Sequence, residues 1–494
     1  MQFALRLLAR GEVVCAPVVV NAEEDKQSFW STVREALRGG QQDLTAIPIS
    51  RAVTLLAVPT VLEMSMESLF AVVDIFYVSR LGSDAVAAVG LTESMLSPVY
   101  ALAMGLSAGA TAIIARRIGE KDREAASAVA TQVVLTAVTV AALLSLVGVA
   151  FSRHLLAAMG ATPGVVHTGT GYTSVMLGGS VTIFLLFVIN AIFRSAGDAA
   201  VAMRSLWLAN SLNIVLAPCF IFGVGPIPRM GVTGAAVATT VSRGIGVAYQ
   251  VMTFRRGKGH VSLMARYLAP KLRTILELLR IGLPATLQVL IETASWLALV
   301  RIIARYGSEA LAGYTIAMRV VIFALLPSWG LANAAATLVG QNLGAKEPDR
   351  ARRSVWTIVR YNVAFLGPVG IIFALAPAAI VTLFTHEPEA VAYSADCLRI
   401  VALGFIVFAI GMVAVQAFNG AGDTTTPMIV NLLSFWGFKI PVAWFLASIV
   451  GLGPHGVFIA ITAAYSVQGL LAVALFRRGR WAKVQIQEGG AAPH

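Results

Sequence analysis

Charge is what this chain has least of. Of its 494 residues only 13% are charged, against about 25% in an ordinary soluble domain, while 57% are hydrophobic. That balance excludes a soluble globular protein and calls for a polytopic membrane protein. Cysteine is scarce too. Cys15, Cys219 and Cys397 lie far apart with no C-x-x-C spacing, so they support neither a disulfide framework nor a metal site. There is no Walker A loop to carry ATP hydrolysis. His154, His167, His260, His386 and His455 fall mainly in loops without metal-ligand spacing. Nothing points to an enzyme or to a bound cofactor. Lys and Arg outnumber Asp and Glu by 37 to 25, a net charge of +12, but they sit in loops between apolar runs. With no aromatic-studded basic domain, nucleic acid is excluded as a partner. The charge reads instead as a topology signal and as contact with anionic lipid.

Long apolar runs are what the chain has in abundance. Runs of spanning length recur twelve times between residues 52 and 476. Basic residues crowd every second loop, as at Arg116, Arg117, Lys121 and Arg123, and leave the alternate loops nearly bare. The positive-inside rule then places both termini in the cytoplasm of a multi-pass inner-membrane protein. Residues 1–50 form a cytoplasmic extension, whose Trp30, Val33 and Leu37 recur at the spacing of a short amphipathic helix.

An internal repeat sets the architecture. Pro59 and Pro284 begin matching runs 225 residues apart. The same offset relates Leu81-Gly82-Ser83-Asp84-Ala85 to Tyr306-Gly307-Ser308-Glu309-Ala310, and Ala196-Gly197-Asp198 to Ala421-Gly422-Asp423. Near the end the shift is 222, pairing Gly231-x-x-Gly234 with Gly453-x-x-Gly456. Six spans is an even number, so the second copy enters the membrane the same way round as the first. The sequence therefore predicts an all-α fold of two parallel six-helix bundles related by a pseudo-two-fold along the membrane normal. Its expected parts are an N-terminal lobe at 51–254, a cytoplasmic linker at 255–282, a C-terminal lobe at 283–477 and a tail at 478–494.

The first run carries the chemistry. Residues 52–78 are apolar enough to span, yet hold Glu63, Glu67 and Asp74. At 100° per residue, Glu67 lies about 40° and Asp74 about 20° from Glu63, so the three share one stripe. An acid at mid-bilayer costs roughly 2.5–3.5 kcal/mol on insertion scales, so the stripe must face a partner helix or a wet cavity. We read Asp74, Glu67 and, in the seventh run, Glu292 as ion-coupling acids. Glu63, Asn190, Asn210, Asn213, Tyr77, Met66 and Met104 are read as lining the cavity or touching substrate. Pairing with Arg319 or Lys439 is the structural alternative for Glu292, while Lys439, beside Pro441, is read as filling carbonyls freed at that bend.

These motifs resemble a known family. VVDIFYVSRLGSDAVAAVG, GLSAGATAIIARRIGEKD, RSAGD, NIVLAP, GVTGAAVATT, GLANAAATLVGQNLGAKEPDRA and NGAGDTTTPM, in this order, are similar to the multidrug and toxic compound extrusion (MATE) family from about residue 50 to 480. The resemblance implies cation-coupled export of amphipathic, often cationic, compounds through a V-shaped pair of lobes. It places the family's coupling acid on Asp74, polar neighbours on Asn190 and Asn213, and the seventh-helix acid on Glu292. Ala217 stands where many members have an acid before the fifth-helix proline, and the tenth run has none. Both departures weaken a complete sodium cage and favour protons, although a sodium near Asp74 and Asn213 stays open. The expectation is a monomeric secondary active antiporter working by alternating access, on small amphipathic or cationic molecules. The alternatives are a lipid-linked oligosaccharide flippase of the same architecture or, further off, a membrane-embedded transferase.

Overall fold

The computed structural model describes residues 29–40, 42–224, 227–256 and 259–486. Cys15 and most of the N-terminal extension lie outside them. The lipid core offers no hydrogen-bond partners, so each segment must satisfy its own backbone, and helix is how a single run does so. The spans, in order, are Ile49–Ser79, Ser83–Gly119, Arg123–Ala158, Pro163–Ser195, Ala199–Phe222, Val232–Arg255, Leu272–Tyr306, Ser308–Gly344, Pro348–Leu375, the pair Pro388–Ala402 and Phe405–Ala421, Thr425–Ile449, and Pro454–Arg477. Ten of these helices are long and apolar enough to cross a membrane, and the tenth-span pair, bent by 59°, makes an eleventh. The sixth, Val232–Arg255, falls short on apolarity. It turns its polar residues inward instead, with Thr239, Ser242, Arg243 and Gln250 all buried.

The repeat is written in the backbone. Gly82 and Gly307 share a positive φ (100° and 110°), as do Gly197 and Gly422 (91° and 87°) and Lys121 and Lys346 (63° and 60°). Gly231 and Gly453 match in both angles, at φ 57°, ψ −137° and φ 56°, ψ −137°. The linker is shorter than 255–282, because the seventh helix already begins at Leu272. No proline stands between Leu272 and Pro284, and Leu278 and Ile281 are buried there, which carries the helix back past the apolar run. What remains of the linker docks on the third span, where Gln132 Nε2 donates to Tyr267 O and Ala269 O.

Each lobe has its own core, and a third apolar cluster joins them. That seam draws Ala52, Val53, Leu56 and Ala57 from the first span, Ala332 to Val339 from the eighth, and Ala417 and Phe418 from the tenth. Glycine permits the approach, since small residues let helix backbones touch. A Cβ on Gly119 would lie 1.9 Å from Gln341 O, and one on its repeat mate Gly344 would lie 2.1 Å from Arg116 O. These contacts all gather toward the ends bearing the basic loops. Farther along the first span Leu69, Val72, Ile75 and Phe76 are exposed. The lobes thus close at the basic end and part toward the other. Gly119→Ala is expected to wedge the seam open: spin labels at Lys121→Cys and Lys346→Cys should report a longer, broader distance than without the substitution.

The helix Phe29–Arg38 lies across this closed end. It buries the small Thr32 and Ala36 against the first and fifth spans and leaves Phe29 and Trp30 exposed. This helix and the strap that follows it together grip both lobes. Arg204 of the fifth span donates to Leu37 O (2.7 Å), and Glu35 pairs with Arg51 (2.8 Å). Across the seam, Arg350 of the ninth span donates to Leu44 O and Ile47 O.

Candidate functional site

The three first-span acids share an angular stripe but not a depth or an environment. A rise of 1.5 Å per residue sets Asp74 about 16 Å along the helix from Glu63. Asp74 therefore lies near the end away from the basic loops, and Glu63 near the middle.

Glu63 is enclosed. It is 2% exposed, pairs with Arg194 Nη1 at 2.7 Å and accepts from Asn190 Nδ2 at 3.0 Å. Asn190 Oδ1 in turn accepts from Ser205 (2.9 Å) and Gln250 (2.6 Å). So Asn190 serves Glu63 rather than Asp74, and neither faces an open surface. Periodicity gave the direction of Glu63 but not its partner. Arg194 reads in sequence as a residue at a loop edge, yet it folds back over the acid.

Glu67 also meets an arginine. Its Oε1 lies 3.5 Å from Arg243 Nη2, and its Oε2 accepts from Asn210 at 3.0 Å. Arg243, 4% exposed, further donates to the Tyr100 hydroxyl (3.1 Å) and stands over the Phe70 ring (5.7 Å). Sequence reasoning passed over Arg243. Its signal was there, a lone arginine in the middle of the sixth run.

Asp74 differs from both. It is half-buried, and its Oδ1 is shielded with no hydrogen-bond partner. No cation lies within ion-pair distance of it among the described residues, though Arg243, Tyr172 and Glu93 are within electrostatic reach. Asn213, expected beside it, donates instead to Thr239 Oγ1 (2.9 Å) and holds the fifth and sixth spans together. Glu93 is a second site residue that the sequence reading missed. It is exposed on the second span, within electrostatic reach of Arg319 on the eighth. Arg319 thus answers Glu93 across the lobes, not Glu292.

In the other lobe, Glu292 accepts from the Tyr465 hydroxyl at 2.9 Å, with Lys439 within electrostatic reach. Lys439 is fully buried and its Nζ makes no hydrogen bond, so it does not fill carbonyls at the Pro441 bend. Of the soft and aromatic residues expected to line a cavity, Met66 is buried, Met104 is half-buried, and Tyr77 packs on the N-terminal core. Among the described residues no cluster of three His, Cys, Asp or Glu could hold a metal ion.

Two pseudo-symmetric helical lobes, closed at one end, with buried charge inside their spans, define a multi-pass membrane transporter. The MatE family profile matches residues 59–219 and 284–445. A probable multidrug resistance protein NorM from Thermotoga maritima is 30% identical over 433 residues, covering 87% of this chain and 92% of the relative. Among solved structures, a crystal structure of MATE in complex with MaL6 superposes with a TM-score of 0.84 at 27% identity, over 89% of this chain and 98% of that one. An outward-facing multidrug resistance MATE transporter of the MOP superfamily does so with a TM-score of 0.82 at 27% identity, over 91% and 98%. The chain belongs to the multidrug and toxic compound extrusion family, with that family's twelve helices in two bundles.

Proposed function

We propose that this chain is a secondary active antiporter that exports small amphipathic or cationic compounds against an inward flow of cations, with Asp74 as its coupling group. One observation carries the reading. Of the three first-span acids, Asp74 alone has no cationic side chain within ion-pair distance. Glu63 and Glu67 are each neutralised by an arginine, so their charges are spoken for. Asp74 leaves the N-terminal lobe with a carboxylate that no cation pairs among the described residues, a charge that a cationic substrate satisfies. A cation loaded onto Asp74 from outside removes that attraction, and the substrate leaves. The substrate and the coupling cation thus compete for one charge, which is what antiport requires. The protein works in the cytoplasmic membrane as a monomer, with the basic loops and both termini inside. The closed seam then corresponds to an outward-open state, and alternating access moves the two lobes against each other.

The proton is the favoured ion. Ala217 stands where an acid before the fifth-span proline would add a carboxylate ligand, and the tenth span carries no acid, so a sodium would lack the oxygen ligands it needs. Purified protein in liposomes, assayed for ethidium transport, tests this. Transport is expected to follow an imposed pH gradient and to stop when the gradient is collapsed. Transport driven equally by sodium alone would transfer the role to sodium, and transport indifferent to both would reject antiport.

A further inference from the structure

The buried lysine of the C-terminal lobe has no function in the reading above. Lys439 ends a π-helical stretch, Leu432–Lys439, of the eleventh span, and such widened turns often accompany functional sites. Its side chain is 0% exposed, and among the described residues its Nζ makes no hydrogen bond and no ion pair. What surrounds the ammonium is aromatic: Phe435 at 4.3 Å, Trp296 at 4.9 Å and Tyr465 at 5.5 Å from Nζ to ring centroid. The Tyr465 hydroxyl donates to Glu292, so the rings and the carboxylate form one cluster. Three ring faces backed by a carboxylate are the chemistry that recognises an alkylammonium.

The repeat explains why the lysine is there. Glu292 is the counterpart of Glu67 at the 225-residue offset. Tyr465 is the counterpart of Arg243 at the 222-residue offset that relates the sixth and twelfth spans. In the N-terminal lobe the sixth span supplies an arginine to the first-span acid. In the C-terminal lobe a tyrosine stands in that position and contributes a hydrogen bond without a charge. Glu292 is half-buried, and its charge still favours a cation close by. The eleventh span provides it.

We propose that Lys439 is a built-in cation: its ammonium occupies a cage of Trp296, Phe435, Tyr465 and Glu292 that would otherwise bind a small free ammonium or monovalent cation. The C-terminal lobe is thereby closed to exchangeable cations. The assignment stands whether or not Asp74 couples transport, because its test reads binding and stability and not export.

The experiment is chemical rescue in the purified full-length protein. Lys439→Ala empties the cage and is expected to melt several degrees below the parent protein. Methylammonium should restore about half of that loss, saturably, and leave the parent unaffected. The double variant Lys439→Ala/Glu292→Gln should show no rescue. Failure of methylammonium to stabilise Lys439→Ala, or equal rescue in the double variant, overturns the proposal. Should Lys439→Ala not fold, Lys439→Met, which keeps the apolar stem, decides the matter. It is expected to gain one saturable site for radiolabelled sodium or methylammonium, lost again with Glu292→Gln. No such gain overturns the proposal. Asp74→Asn, made in either background, should leave these results unchanged.

Discussion

Asp74→Asn is expected to yield a folded, membrane-inserted protein whose export no longer follows a cation gradient. Asparagine matches aspartate in shape, and the shielded Oδ1 has no hydrogen bond to lose, so stability should hold. What disappears, on the proposed mechanism, is the charge for which substrate and cation compete. A coupling free energy of about 1–3 kcal/mol corresponds to about 5- to 150-fold in affinity. Gradient-driven ethidium export should fall by a factor in that range, while detergent-purified yield and melting temperature stay near those of the parent. Undiminished export by Asp74→Asn would show that the uncompensated acid is a bystander.

The largest loss of stability is expected at Arg194. Removing one partner of a buried ion pair strands the other, at a cost of about 3–5 kcal/mol, whereas replacing both by apolar residues is often near neutral. Glu63 is almost wholly enclosed, and Asn190 alone would remain to hold its charge. Arg194→Ala should therefore cut the melting temperature and the yield sharply. Glu63→Gln in the same chain should recover most of both, because a neutral amide no longer needs the guanidinium. If the double variant proves as unstable as Arg194→Ala, the pair does not act as a unit.

These two predictions mark where sequence reasoning reaches and where it stops. Length and apolarity found the spans, and the 225-residue offset found the lobes, because hydrophobic thickness and duplication both leave marks along the chain. The sixth and tenth spans were legible as runs but not in their form: one hides polar residues in the lobe, and the other breaks near Gly404 into two helices. The acids of the first span were visible as well, and so was their common stripe. Their partners were not. Whether an arginine answers Glu63 or Glu67 depends on how the fourth and sixth helices are rotated against the first, and helical period carries no information on that. Arg243 could have been found by asking of every charge inside a run, basic as well as acidic, what neutralises it. Lys439 shows the same limit from the other side, since three ring faces from three helices meet around it only in the folded lobe.

The end of the first helix and the strap after it, up to Ile47, precede the first span yet are bonded to both halves of the molecule. Opening at the basic end would have to part Arg204 and Arg350 from carbonyls on one short stretch of chain. On the proposed alternating-access cycle that stretch would act as a catch, biasing how long each state lasts without touching cargo or ion. A peptide tag fused close to it, a protease nick within it or a soluble protein seated on it would change turnover through timing alone.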